Sequence, residues 1–70
     1  MNPFLAILRP AIHRLADNSP EGRQAVYARA RRAIEERIRL VEPPPADPVV
    51  QAQMTKLEDA IAAIEREFPS

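Results

Sequence analysis

Apolar residues recur three or four positions apart along residues 3–16, which predicts a helix with one apolar face. The residues of this face are Phe4, Leu5, Leu8, Ile12 and Leu15. Asn2 is predicted as the N-cap and Pro3 as the first helical residue. Pro10 lacks a backbone donor and disfavours helix at Arg9. The segment is therefore either a kinked helix or one loose turn followed by a helix from Pro10.

A second apolar stripe predicts a longer helix over residues 20–41. Ser19 supplies the N-cap, a proline follows it, and Glu21 faces the positive end of the helix dipole. The stripe contains Val26, Tyr27, Ala30, Ala33, Ile34, Ile38 and Val41. Glu35 and Arg39 have the i, i+4 spacing of a side-chain ion pair, which stabilises a helix by about 0.2–0.5 kcal/mol.

Three successive prolines interrupt the pattern in a linker at residues 43–47, where they favour an extended polyproline conformation. Asp47 is predicted as the N-cap of a third helix over residues 48–68. The apolar residues of this helix, at alternating spacings of four and three, are Val50, Met54, Leu57, Ile61, Ile64 and Phe68. They form a heptad seam that is too short for a stable isolated coiled coil.

These patterns predict an all-α fold, because no alternating apolar run indicates a strand. We expect a single domain over residues 1–70, in which the second and third helices form an antiparallel hairpin and the short first helix crosses or caps it. Ten basic and ten acidic residues cancel, yet residues 1–42 carry a net charge of +3 and residues 43–70 a net charge of −3. Opposite charges then line the edges of the hairpin, where exposed pairs select register more than they add stability.

A chain of 70 residues buries little apolar surface, and such small domains usually add disulfides, a metal or a partner. Cysteine is absent, and the single histidine, His13, cannot form a zinc site without carboxylate help. By elimination we expect a homo-oligomer, a dimer or larger, or an adaptor that binds another protein. The expected interface residues are Phe4, Leu5, Leu8, Ile12, Leu15, Tyr27, Ile34, Ile38, Val50, Met54, Leu57, Ile61, Ile64 and Phe68.

The N-terminal segment is the strongest candidate for a docking element. Ile7 lies off its main apolar stripe, so the apolar surface is wider than one hairpin groove needs. Pro10 weakens the middle of the helix, which suits an element that docks and undocks. The hypothesis is that residues 1–16 contact a partner while the hairpin keeps its own fold. The alternative is that both faces of the segment are covered inside a dimer.

The sequence lacks the patterns that mark common enzyme and cofactor sites. A glycine-rich phosphate loop is excluded because the chain has one glycine. A Ser-His-Asp set could use Ser19 with His13 and Asp17, but Ser19 is better explained as a helix cap. Adjacent carboxylates such as Glu35 and Glu36 point about 100° apart on a helix and do not converge on one substrate. We therefore expect a non-enzymatic protein without cofactor or metal.

The cytoplasm is its default location, since no apolar run is long enough for a membrane span and the start is a poor secretory signal.

The arginines of the second helix support an alternative function. A phosphate-binding strip for nucleic acid could use Arg29, Arg31, Arg32, Arg37 and Arg39. These arginines spread around the helix, are mixed with Glu35, Glu36 and Glu42, and belong to a chain without basic excess. Solubility and pairing with the acidic third helix is the leading interpretation of the arginines. A small nucleic-acid-binding regulator is the alternative.

Two runs of the hairpin, VYARAR at residues 26–31 and LEDAIAAIE at residues 57–65, are rich in helix-forming residues. They resemble a helical-hairpin segment found near the N-terminus of many uncharacterised alphaproteobacterial proteins. The resemblance implies a bacterial source and a role in assembly or docking. It brings no activity, cofactor or catalytic residue with it.

Because the chain carries no net charge and its second helix mixes both signs, we expect no measurable binding of duplex DNA at physiological salt with micromolar protein. Fluorescence anisotropy of a labelled duplex measures this directly. A submicromolar complex that weakens steeply with added salt would instead make nucleic-acid binding the leading function.

Overall fold

A computed structural model of the chain describes residues 2–16 and 18–68 and contains three helices within them. These are α1 (Pro3–His13), α2 (Pro20–Leu40) and α3 (Asp47–Glu65). The described residues form no strand, so the prediction of an all-α fold is confirmed. None of these helices is both long enough and apolar enough to cross a membrane.

The first helix begins where the sequence predicts and ends three residues early. The Asn2 Oδ1 atom accepts a hydrogen bond from a first-turn backbone N–H at 3.0 Å, which confirms Asn2 as the N-cap. Helix α1 continues through Pro10, so a loose turn before that residue is the wrong alternative. At the C-terminal end, the Asn18 Nδ2 atom donates to the Ile12 carbonyl oxygen at 3.0 Å. The same carbonyl oxygen also accepts the backbone N–H of Leu15 at 3.2 Å, so a backbone and a side-chain donor together satisfy the last turn.

The second helix follows its prediction to within one residue. The Ser19 Oγ atom accepts a hydrogen bond from the backbone N–H of Gly22 at 3.1 Å, so Ser19 is the N-cap. The helix ends at Leu40, because Val41 already has the extended backbone that leads into the prolines.

The third helix begins one residue earlier than predicted and ends three residues earlier. Its N-cap is Ala46, whose side chain has no acceptor, so the prediction of Asp47 as N-cap is wrong. Asp47 lies in the first turn, where its carboxylate faces the positive end of the helix dipole. At the other end, the Arg66 Nε atom donates to the Ala62 carbonyl oxygen at 3.3 Å, and turns carry the chain to Phe68.

The three helices alternate in direction. Ion pairs from Arg23 to Glu65 and from Arg31 to Glu58 join α2 to α3 in antiparallel order, which confirms the predicted hairpin. Helix α1 runs in the same direction as α3, because the side chain at its N-cap donates to the Lys56 carbonyl oxygen while its later turns contact the end of α3. The most extensive packing of α1 is against α3.

All three helices contribute to one apolar core. Its buried residues are Leu8, Ile12, Tyr27, Leu57, Ala60, Ile61 and Ile64. Leu8 and Ile12 are buried within the single chain, so α1 is part of the core. This burial argues against the hypothesis that residues 1–16 are a docking segment separable from the hairpin.

Three helices pack together at one end of the molecule only. Helix α1 has 11 residues, against 21 in α2 and 19 in α3, and its N-terminus lies beside Lys56. The last two turns of α2 and the first two turns of α3 therefore continue past α1 as a two-helix arm, residues 34–41 and 47–54. The molecule is long for its size, with extents of 40, 20 and 17 Å. Its radius of gyration is 13.1 Å, whereas a compact chain of this length has about 11 Å.

We expect Ile12→Ala to lower the free energy of unfolding by about 2–5 kcal/mol, because it leaves a cavity in the core between the helices. Chemical denaturation followed by circular dichroism measures the change. Ile7 lies in the same helix but is 67% exposed, so Ile7→Ala is the matched control and should change stability by about 0.5 kcal/mol or less. Equal, small effects of both substitutions would show that α1 is not part of the core.

Candidate functional site

A buried arginine joins α2 to α3 and to the turn before α2. Arg23 is the one charged residue that is buried in the described part of the chain, with 8% of its surface exposed. Its Nε atom donates to Glu65 Oε2 at 2.7 Å, and its Nη2 atom donates to Glu65 Oε1 at 3.4 Å. Its Nη1 atom donates to the carbonyl oxygen of Asn18 at 2.9 Å and to the side-chain oxygen of Asn18 at 3.1 Å. The charge of Arg23 is thus paired and hydrogen-bonded, as burial of a charge requires.

Tyr27 and Phe68 complete this network. Tyr27 is fully buried, and its hydroxyl donates to Glu65 Oε2 at 2.7 Å. The Arg23 guanidinium carbon lies 4.6 Å from the centre of the Phe68 ring, within cation–π distance. We call Arg23, Tyr27, Glu65 and Phe68 the clamp, because together they hold α2 against the end of α3.

The clamp keeps its two acidic groups in fixed protonation states. Hydrogen bonds from Arg23 and then from Tyr27 lower the pKa of the Glu65 carboxyl below its usual value of 4.5. Burial, followed by the hydrogen bond to the charged Glu65, raises the pKa of the Tyr27 hydroxyl. Near neutral pH, Glu65 is therefore a carboxylate that accepts and Tyr27 a hydroxyl that donates. Both groups are committed to contacts inside the chain.

A second and more exposed ion pair lies beside the clamp. The Arg9 Nη2 atom is 2.7 Å from Glu67 Oε2, and the His13 Nε2 atom is 3.6 Å from Glu67 Oε1. The His13 ring centre lies 5.7 Å from that of Phe68. Because the Arg9 side chain is about half exposed, the Arg9–Glu67 pair contributes at most about 1 kcal/mol.

The other side chains weighed as catalytic or metal-binding groups do not assemble into a site within the described residues. The Ser19 hydroxyl caps α2, and Asp17 lies outside the described residues. Across residues 2–16 and 18–68, no three metal-ligating side chains come together.

A concave surface lies where α1 begins and the arm extends past it. A cavity of about 310 Å³ opens there between the helices. It is lined by Phe4, Ile34, Arg37, Ile38, Val41 and Gln53. We call it the arm groove. Its floor is the apolar stripe of α2, which continues beyond the first turn of α1.

Apolar side chains are also exposed at the tip of the arm. Leu40 is 77% exposed, Val41 is 49% exposed, and Val49 is about half exposed. Ile7, on α1, is the remaining large apolar residue that is exposed among those described. Three of these four residues thus lie at the tip of the arm, and one of them, Val41, also lines the arm groove. Exposed apolar surface that is concentrated in this way is typical of an interaction site.

Most of the residues predicted for an interface pack inside the chain. Fully core positions are occupied by Leu8, Ile12, Tyr27, Leu57, Ile61 and Ile64. Partly buried positions against the core are occupied by Phe4, Leu5, Leu15, Ile34, Met54 and Phe68. Ile38 and Val50 are half-buried on the arm. Of the whole set, Phe4, Ile34 and Ile38 line the arm groove.

The sequence prediction missed the clamp and part of the groove. Arg23 and Glu65 are 42 residues apart, so no local spacing relates them. A signal was present in the antiparallel register, because pairing Arg31 with Glu58 across the hairpin also brings Arg23 to Glu65. The apolar pattern predicts Val41 only as the last residue of the α2 stripe, and its exposure depends on where α1 begins.

The arginines of α2 divide into two groups. Arg31 pairs with Glu58 across the hairpin at 2.7 Å. Arg39 pairs with Glu36 at 3.2 Å, whereas the sequence suggested Glu35; the i, i+3 and i, i+4 spacings both bring side chains together on a helix. Three arginines make no ion pair with a described residue, namely Arg29, Arg32 and Arg37. The predicted strip is therefore interrupted by internal pairs.

These features define an all-α domain with three helices at one end, held by an ionic clamp, and a two-helix arm at the other. No protein-family model, curated protein or solved structure that was compared with the chain matches it. The resemblance to alphaproteobacterial helical hairpins thus stays a prediction.

The clamp makes the free energy of unfolding depend on pH in the acidic range. The folded state lowers the pKa of the Glu65 carboxyl. The stability that this carboxylate adds is therefore fully present above the unfolded pKa near 4.5 and is lost as pH falls through the lower folded pKa. We expect Glu65→Gln to lower the free energy of unfolding by about 1–3 kcal/mol at pH 7. The difference between wild type and variant should shrink toward pH 3. Thermal melts across this range measure it, and Glu35→Gln, which removes an exposed carboxylate on α2, should show no such convergence.

Proposed function

We propose that this protein is a non-enzymatic protein–protein interaction module that presents the apolar faces of its arm to a second copy of itself or to another protein. The observation that carries the proposal is the arm groove, an apolar concave surface between α2 and α3 just beyond the first turn of α1. Grooves of this form bind an amphipathic helix, whose apolar side chains at i, i+3, i+4 and i+7 cover the surface of α2 and α3 that α1 does not reach.

The contrast between the two ends of the molecule supports this interpretation. At the clamp end, polar groups are satisfied by one another and the core is closed, so little remains for a partner to contact. At the arm end, the stripes of α2 and α3 have only each other and Phe4. Such half-covered stripes gain stability when a partner removes them from water, at about 25 cal/mol for each Å² of apolar surface.

Binding of nucleic acid is the second candidate. The observation that favours it is that Arg29 and Arg32 lie next to each other on α2 without an ion pair to any described residue. Glu36 lies on the same surface and reduces its positive potential. This candidate uses the outer face of α2 and leaves the arm groove without a role, so the two functions are separable by substitution.

Photo-crosslinking tests the proposed function. A benzoylphenylalanine placed at Val41, which lines the arm groove and is half exposed, should form a covalent adduct of defined mass. The adduct forms in the purified protein if the partner is a second copy, and in the producing cell if the partner is another protein. The same group placed at Ala28, an exposed position on the body of α2, is the control and should give little adduct. If Val41 forms no more adduct than Ala28 under either condition, the arm groove is not a protein-binding surface.

A further inference from the structure

We propose that the occupant of the arm groove is a second copy of this chain, which binds in a two-fold symmetric dimer so that each arm completes the bundle of the other. This inference rests on the proposed function and narrows it to one partner. Three features of the monomer support it: its excess surface, the composition of the arm, and the charges at the arm's tip.

The monomer exposes more surface than its mass requires. Its accessible surface is 5207 Å², whereas a compact monomer of 7.9 kDa exposes about 4400 Å². The excess of roughly 800 Å² equals the area that each partner contributes to a protein–protein interface of standard size. A dimer formed through the arms would thus bury what the elongated monomer leaves exposed.

The arm carries both halves of a self-complementary contact. A two-fold interface uses the same patch on both copies, so the patch has to contain both a receiving and an inserting surface. The arm groove is the receiving surface, with Ile34 and Ile38 on its floor. The exposed side chains of Leu40 and Val49 at the tip are the inserting surface. Two antiparallel arms place each tip against the groove of the other copy and form a four-helix section.

Charge favours a second copy over an anionic partner. Arg37 lines the groove, while Glu42 and Asp47 flank the tip, and none of the three makes an ion pair with a described residue of its own chain. An antiparallel copy brings the acids of its tip toward Arg37. Residues 34–54 contain four acids and two arginines, so the arm as a whole does not attract nucleic acid or an acidic helix. The whole chain has zero net charge, so two copies do not repel each other.

Sedimentation equilibrium of the purified full chain, from low micromolar to near-millimolar concentration, tests the proposal. Wild type should pass from the 7.9 kDa monomer to twice that mass as concentration rises. Leu40→Lys removes an inserting side chain and Val41→Lys a receiving one. Each should weaken the dimer by about tenfold or more, as substitution of a central interface residue does. Ile7→Lys, which charges an equally apolar and exposed position on α1, should leave the dimer unchanged.

The outcomes separate this proposal from the one on which it rests. At protein concentrations below those at which the dimer forms, circular dichroism melts should show that all three variants fold. Each replaced residue is between 49% and 77% exposed, so none of the substitutions disturbs the core. A wild-type chain that remains a monomer over the whole range overturns the proposal, as does a dimer that neither Leu40→Lys nor Val41→Lys weakens. If the wild type is a monomer while Val41 still crosslinks to a different protein, the arm groove is an interaction surface and only the second copy as its occupant is wrong.

Discussion

The length of α1 sets the form of the whole molecule. Eleven helical residues span about 16 Å, which is roughly half the length of the 21-residue helix against which α1 packs. Over that distance the chain builds a closed three-helix core, and beyond it α2 and α3 continue without a third helix. The uncovered length lies beyond the N-terminal end of α1, where the Asn2 side chain caps the helix and donates to the Lys56 carbonyl oxygen. The position of this cap against α3 thus marks where the closed core ends and the arm begins.

Features that depend on neighbouring residues were predictable from the sequence. The caps at Asn2 and Ser19 and the order of three helices follow from local spacing and were correct. The cap at Asp47 was wrong because an acidic residue before a proline can stabilise a helix from the first turn as well as from the cap. The helix end after His13 was missed because the contact that terminates α1 comes from a residue in the following turn.

The candidate site was harder to predict, because burial depends on which helices overlap in space. Periodicity identified apolar stripes but could not show that Leu8 and Ile64 are covered within one chain while Ile38 is only half covered. It also grouped Arg31 with the other arginines of the predicted strip, although Arg31 pairs with Glu58 across the hairpin. It gave no role to Arg23, whose burial depends on the packing of α2 against α3. Both distinctions require the antiparallel register of α2 and α3 and the position along them at which α1 begins.

The clamp and the arm groove are linked through that register. A buried ion pair adds little net stability, because removing its charges from water offsets most of their attraction. It does penalise alternatives: a slip of α3 by one helical turn, about 5.4 Å, would withdraw Glu65 from Arg23 and Tyr27 and leave a buried charge unpaired. The same slip would change how far α2 extends past the start of α3 and so would alter the groove at Ile38 and Val41. The ionic contacts at one end of the hairpin thereby specify the shape of the apolar surface at the other.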